Sequence, residues 1–290
     1  MLTYQETPIQ EIYDHKISTA GLKLLIKRED LNHPYVSGNK WWKLKYNLEE
    51  ACRQQKKILL TYGGAYSNHI YATAAAANEV NLKSVGLIRG EETFPLNPTL
   101  SFAKEKGMEL KYIPRSAYRA KEKHAQYLSQ FKDYYAIPEG GSNFFAVKGI
   151  SEFAKKLGEE FDYLCCPVGT GGTLAGLIGA LSNSKKIVGF PVIKGGHFLI
   201  DEIKNLIVDK NKSTNWQLVY DCHFGGYAKS TPELLQFIDD FNSSHNIPLE
   251  FIYTGKMMAG IYDLISKGFF RRGATILAIH TGGLQGKQFK

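Results

Sequence analysis

The sequence predicts an α/β fold in which two open parallel-sheet domains flank a cleft. Three observations carry that expectation. Apolar, strand-like runs alternate with helical ones along most of the chain, the pattern of parallel sheets covered by helices on both faces. A chain of 290 residues suits two modest sheets better than one very wide sheet. No internal repeat, low-complexity tract or long linker breaks the alternation.

The elements follow in order. Lys40 opens a helical run containing Trp41 and Trp42. Lys57 to Tyr62 reads as a buried strand, and Ser67 to Val80 as a helix with Ser67 as its N-cap and an alanine run behind it. Lys83 to Arg89 is strand-like. Asn97-Pro98 supplies the cap and first-turn proline of the next helix, which Gly107 stops. Glu109 to Ile113 and Tyr134 to Pro138 are further strands, with a helical segment between them. Phe144 to Leu157 is helical, Phe161 to Val168 a strand and Gly171 to Leu181 a helix. Lys186 to Val192, Gln217 to Asp221, Glu250 to Tyr253 and Ala274 to His280 are expected strands, separated by helices. The expected division is a smaller domain at 44–150 and a larger one formed by 1–43 and 151–290.

Composition narrows the function classes. The chain is 43% apolar and 22% charged, ordinary for a globular protein. Its net charge of +8 is spread without a basic block, which argues against nucleic-acid binding. Cys52, Cys165, Cys166 and Cys222 form no C-x-x-C pair, so they are expected to be reduced, in a cytoplasmic protein, with no metal site. The N-terminus lacks a signal-peptide design, and no apolar stretch reaches the ~18 residues of a membrane helix.

Ligands in such folds bind beyond the carboxyl ends of the strands, near helix N-termini. Lys40 and Lys43 share one helical face; spacing alone favours two surface lysines beside packing tryptophans over a reactive amine with a partner for an anion. Gly63-Gly64-Ala65-Tyr66-Ser67-Asn68-His69 joins a strand to a helix start, an environment suited to a carboxylate. Gly169-Thr170-Gly171-Gly172-Thr173 follows an apolar strand and presents successive N–H groups as a phosphate nest. Leu174 excludes a dinucleotide fingerprint, and no G-K-[ST] follows. An amine in a helix and a distant phosphate cradle are the two ends of a pyridoxal-phosphate site.

These segments together resemble the fold-type II pyridoxal-phosphate enzymes, the tryptophan-synthase β-like group. Within it they are similar to the 1-aminocyclopropane-1-carboxylate (ACC) deaminase and D-cysteine desulfhydrase family. The matching stretches are Lys27-Arg28-Glu29-Asp30, Gly38-Asn39-Lys40, Ser67-Asn68-His69, Gly140-Gly141-Ser142-Asn143, the G-T-G-G-T loop, Tyr253-Thr254-Gly255-Lys256 and His280-Thr281-Gly282-Gly283. The resemblance implies that Lys40 forms the Schiff base and moves the α-proton. It implies that Lys43 and residues 169–173 (Gly169, Thr170, Gly171, Gly172, Thr173) bind the phosphate, that Asn68 meets the phenolic oxygen and that Thr281 stands near the ring nitrogen. Ser67, Asn68 and His69, with Tyr66 and Tyr253, would hold the substrate; Lys40, Ser67 and Tyr253 are the expected catalytic set.

Where this family's ACC deaminases carry a glutamate and a leucine, this chain has Thr254 and Thr281. A hydroxyl at the ring nitrogen makes a weaker electron sink than a carboxylate. The resemblance therefore implies β-elimination from a D-amino acid such as D-cysteine, giving keto acid, ammonia and sulfide. ACC deamination, racemase or dehydratase activity, and a non-catalytic pyridoxal-phosphate-binding role are the alternatives. A small amino-acid substrate and a homodimer are implied, with neither nucleic acid nor membrane as partner.

Overall fold

The structure, a computed structural model, describes residues 2–120, 124–207 and 215–285. Ten strands occur among them: β1 (Ile9–Ile12), β2 (Lys23–Lys27), β3 (Ile58–Gly64), β4 (Lys83–Arg89), β5 (Met108–Ile113), β6 (Tyr134–Ile137), β7 (Tyr163–Val168), β8 (Lys186–Pro191), β9 (Trp216–Leu218) and β10 (Thr275–Ile279). They form a four-stranded sheet in the order β5-β4-β3-β6 and a six-stranded sheet in the order β1-β2-β10-β7-β8-β9. Every pairing is parallel except β1 with β2. The α/β architecture expected from the alternation is therefore present. Helices cover the sheets, as parallel strands buried on both faces require; β7, for example, is buried at all six positions.

One apolar cluster runs from Leu59 and Ile137 in the smaller sheet, through Trp42 and Phe153, to Leu164 and Leu277 in the larger one. The helix Asn39–Arg53 lies in this junction and carries Lys40 and Lys43. Gly38, just before it, has φ +68°, and a Cβ there would stand 1.9 Å from the Thr281 carbonyl oxygen. Only glycine allows that contact, which fastens the start of the lysine helix to the turn after β10.

Glu29 fastens the same helix from the other side. Its buried carboxylate accepts hydrogen bonds from Trp42 Nε1 (2.7 Å), Asn32 Nδ2 (2.9 Å) and Thr7 Oγ1 (2.5 Å). Arg28 grips Asp30 through two nitrogens, at 2.9 and 2.8 Å. The Lys27-Arg28-Glu29-Asp30 stretch thus acts as a scaffold. Glu29→Ala would leave those donors buried without an acceptor, and we expect it to lower unfolding stability by about 3 kcal/mol or more, read from denaturant midpoints at constant slope.

Two expectations are corrected. Glu250 to Tyr253 is not a strand but the turn entering the helix Thr254–Ser266. The buried Glu250 carboxylate accepts the backbone N–H groups of Ile252 (2.6 Å), Tyr253 (2.9 Å) and Thr254 (2.7 Å). Those amides are committed locally and cannot serve a neighbouring strand. The run Gln217 to Asp221 yields only the short β9. Strands β1 and β2, unforeseen in the sequence, extend the larger sheet at its N-terminal edge.

Candidate active site

The parallel strands aim their carboxyl ends at one region, where the motif-bearing turns after β3, β7 and β10 converge. An inner cavity of about 50 Å³ is lined by Lys40, Lys43, Asn68, Thr281 and the loop Gly169, Thr170, Gly171 and Thr173. It shares Lys40, Asn68, Gly169, Thr170 and Tyr253 with an outer cavity of about 200 Å³ that also takes in Ser67 and His69.

The charge balance of the inner cavity is one-sided. Lys43 is fully buried, and its Nζ donates to Gly140 O at 2.8 Å and to Ser142 Oγ at 3.2 Å. A Cβ on Gly172 would lie 3.2 Å from that Nζ, so the ammonium faces the start of the helix Gly172–Ala180. A cation at the positive end of a helix dipole, beside a second lysine, is electrostatically unfavourable unless an anion lies between them. Burial, then the nearby Lys40, pushes the Lys43 ammonium well below its usual range. Among the described residues, no aspartate or glutamate lines this cavity. Its chemistry suits a small, doubly charged anion such as a phosphate.

Loop contacts set the cavity's shape. Ser142 Oγ and Thr170 Oγ1 are 2.6 Å apart, and Asn39 Nδ2 donates to Thr173 Oγ1 at 2.8 Å. Gly171 adopts φ +82° as the helix begins behind it. Gly172 itself is packed against Ser142, where a Cβ would come within 2.5 Å of Oγ.

Burial lowers the Lys40 ammonium to about 8. Relative to an amine at 10.5, its neutral fraction near pH 7 is larger by roughly 300-fold, enough to make it a usable nucleophile and proton carrier. The neutral form grows about tenfold per pH unit below that value and saturates above it. We therefore expect apoprotein to capture an aldehyde at Lys40 at a rate that climbs up to about pH 8 and then levels off; a rate still climbing above pH 10 would contradict a desolvated amine.

On the other wall, Ser67 caps the helix Asn68–Glu79, its Oγ accepting from His69 N (3.2 Å) and Ile70 N (3.3 Å). Its own O–H is left to donate into the outer cavity. Asn68 borders both cavities; its Oδ1 accepts from Gln285 Nε2, and its Nδ2 packs against Gly283. His69 is defined by its neighbour. Thr61 Oγ1 donates to Ile137 O at 2.9 Å, so it accepts from His69 Nε2–H at 2.8 Å. His69 Nδ1 is then a buried acceptor with no protein partner. Burial, with Lys40 and Lys43 nearby, holds the imidazole well below its usual range, and it stays neutral.

Tyr253 reaches into both cavities, and a Cβ on Gly169 would lie 3.1 Å from its ring. The structure does not bring every candidate to the site. Tyr66 is exposed and lies outside both linings. Thr281 borders the inner cavity, whereas Thr254 is buried with its hydroxyl 3.1 Å from the Glu250 carboxylate. Four residues lining the outer cavity were missed in the sequence: Arg89, Glu139, Tyr227 and the apolar Ile193. Tyr227 packs edge-on to Tyr253 at 6.1 Å between ring centroids, and their side chains are hydrogen-bonded. Arg89 ends a strand the sequence had marked, so the strand-end rule pointed to it.

Residues 1–282 match the family described as pyridoxal-phosphate dependent enzyme. A Pyrococcus horikoshii protein named as a candidate 1-aminocyclopropane-1-carboxylate deaminase is 33% identical, covering 97% of this chain and 90% of its own. The Arabidopsis thaliana mitochondrial bifunctional D-cysteine desulfhydrase/1-aminocyclopropane-1-carboxylate deaminase is 32% identical, covering 92% of this chain and 73% of its own. The crystal structure of an ACC deaminase homologue superposes with a TM-score of 0.85 at 31% identity, covering 99% of this chain and 92% of that one. A hydrogen sulfide-producing enzyme from Fusobacterium nucleatum shares the fold, with a TM-score of 0.74 at 15% identity over 99% of this chain and 98% of its own.

Proposed function

We propose, for a chain that belongs to the pyridoxal-phosphate-dependent enzymes and among them to the ACC deaminase/D-cysteine desulfhydrase group, a deaminating β-elimination that acts on D-cysteine in preference to ACC. Bound covalently through its aldehyde, pyridoxal phosphate supplies the electron sink for charge left at the substrate's α-carbon. Lys43, the helix start at Gly172 and the 169–173 loop hold the phosphate. Lys40 supplies the amine, and its position near neutrality lets it take and return the α-proton. Asn68 offers N–H donors to the phenolic oxygen. Ser67 donates its O–H to the substrate carboxylate. Tyr253 closes the substrate side.

The observation that carries the preference is that, among the described residues, no acidic side chain lines the inner cavity, where Thr281 offers only a hydroxyl. A neutral partner leaves the electron sink weak. Expelling hydrosulfide demands only a short-lived carbanion; opening an unactivated ring demands more. Purified holoenzyme is expected to release sulfide and pyruvate from D-cysteine with kcat/KM at least about tenfold above that for ACC. ACC turnover well above D-cysteine turnover would replace this reading with the deaminase one, which the names of several relatives favour.

The two sheets support the division into a smaller domain at 44–150 and a larger one from the remainder, with the site between them. Among the described residues no helix is long and apolar enough to cross a membrane. A cytoplasmic homodimer is our working assignment, tested by fractionation and by light scattering.

A further inference from the structure

The outer cavity holds a charged pair that the reaction with D-cysteine does not use. Among the described residues lining it, Lys40, Arg89 and Glu139 alone carry charge. Arg89 and Glu139 come together through the sheet. Strand β3 lies between β4 and β6, with Gly64 in register with Arg89 and Thr61 with Ile137. Arg89 ends β4 and Glu139 follows β6, so both stand at the carboxyl edge on either side of β3. Gly64, without a side chain, leaves room for the guanidinium: a Cβ there would lie 3.2 Å from Arg89 Nη2.

The pair is held open to a ligand. Arg89 Nη1 and Glu139 Oε1 are 4.0 Å apart, outside good hydrogen-bond distance. Their side chains are 40% and 46% exposed. Arg89 lies over the ring of buried Tyr118, 5.6 Å from its centroid, and Glu139 interacts with the same tyrosine's side chain. Each charge is therefore anchored from behind and turned to the cavity in front. A guanidinium and a carboxylate side by side complement one kind of group: a carboxylate and an ammonium side by side, the head of an α-amino acid.

Resting on the proposed β-elimination, we infer that this pair receives a second α-amino-acid head, carried on the leaving sulfur, so that the preferred substrates are diamino acids bridged through sulfur. The step balances. The Cα–H and Cβ–S bonds break, and the departing thiol takes a proton and carries its own head away. The remaining three-carbon unit adds water to give pyruvate and ammonia. For meso-lanthionine, reacting at its D centre, the products are L-cysteine, pyruvate and ammonia.

The test compares meso-lanthionine with S-methyl-D-cysteine, which has the same scissile bond and no second head, on purified holoenzyme and on its Arg89→Gln and Glu139→Gln variants. Both residues are partly exposed, so the variants are expected to fold. The kcat/KM ratio of the two compounds should favour meso-lanthionine by roughly tenfold in the parent, the size of one charge-assisted contact, and fall at least about threefold in each variant. A parent without the preference, or a ratio that either variant leaves within about threefold, overturns the inference. If neither compound nor D-cysteine is turned over, the functional reading itself fails. Calorimetric dissociation constants for the same two compounds then read the pair directly: tighter binding of meso-lanthionine that both variants abolish upholds the inference, and any other pattern overturns it.

Discussion

Replacing Lys40 by alanine is expected to leave a folded protein that has lost its covalent cofactor, its yellow colour and its turnover. The cost to kcat/KM should be roughly 10⁴-fold or more, because in the proposed mechanism one side chain serves as both nucleophile and proton carrier. Folding should survive, since the Lys40 side chain lines the two cavities and belongs to no apolar core cluster of the described residues. Lys43 cannot replace it. Its ammonium is bound to Gly140 and Ser142 and faces the start of the helix Gly172–Ala180. Turnover within tenfold of the parent would mean that another group does the chemistry.

The second large effect is structural. Gly38→Ala should lower stability by about 3–5 kcal/mol and weaken cofactor retention together. Two costs combine there. The backbone has φ +68° and ψ −143°, a region that side-chain-bearing residues avoid. The added Cβ would also sit 1.9 Å from the Thr281 oxygen, so the helix carrying Lys40 and the turn carrying Thr281 must part. Gly107→Ala is the control: φ is +83° but nothing lies within 4 Å of a Cβ, so only the conformational cost, about 1 kcal/mol, remains. Denaturant unfolding and cofactor retention measure both variants. Equal losses at the two positions would show that the contact with Thr281 contributes nothing.

Much of this site is local, which is why it was readable. The Gly169–Thr173 loop and the Ser67 cap are contiguous segments whose geometry depends on their own residue types. Strands such as β3, β4 and β7 announce themselves by apolar runs. What escaped reading depends on distance. Arg89 and Glu139 are fifty residues apart and meet only because β4 and β6 flank β3, an order that periodicity does not encode. The segment before Thr254 looks like a strand because Phe251, Ile252 and Tyr253 suit one; the Glu250 side chain overrides that preference by taking the amides itself. Strand β1 is short and partly exposed, with no buried apolar run to mark it. The KRED stretch, matched only by resemblance, has a physical role visible only once Trp42 is seen on Glu29.

The central claim is that the cofactor is attached at Lys40. Borohydride reduction of holoenzyme fixes that bond permanently, and peptide mass spectrometry then locates it. A pyridoxyl group on Lys40 is the predicted result. The informative competitor is Lys256, which burial also lowers to about 8, but whose Nζ is bound to Gly226 O at 2.6 Å and which borders neither cavity. A label on Lys256 or Lys43, or reduced holoenzyme with no label, would contradict the account.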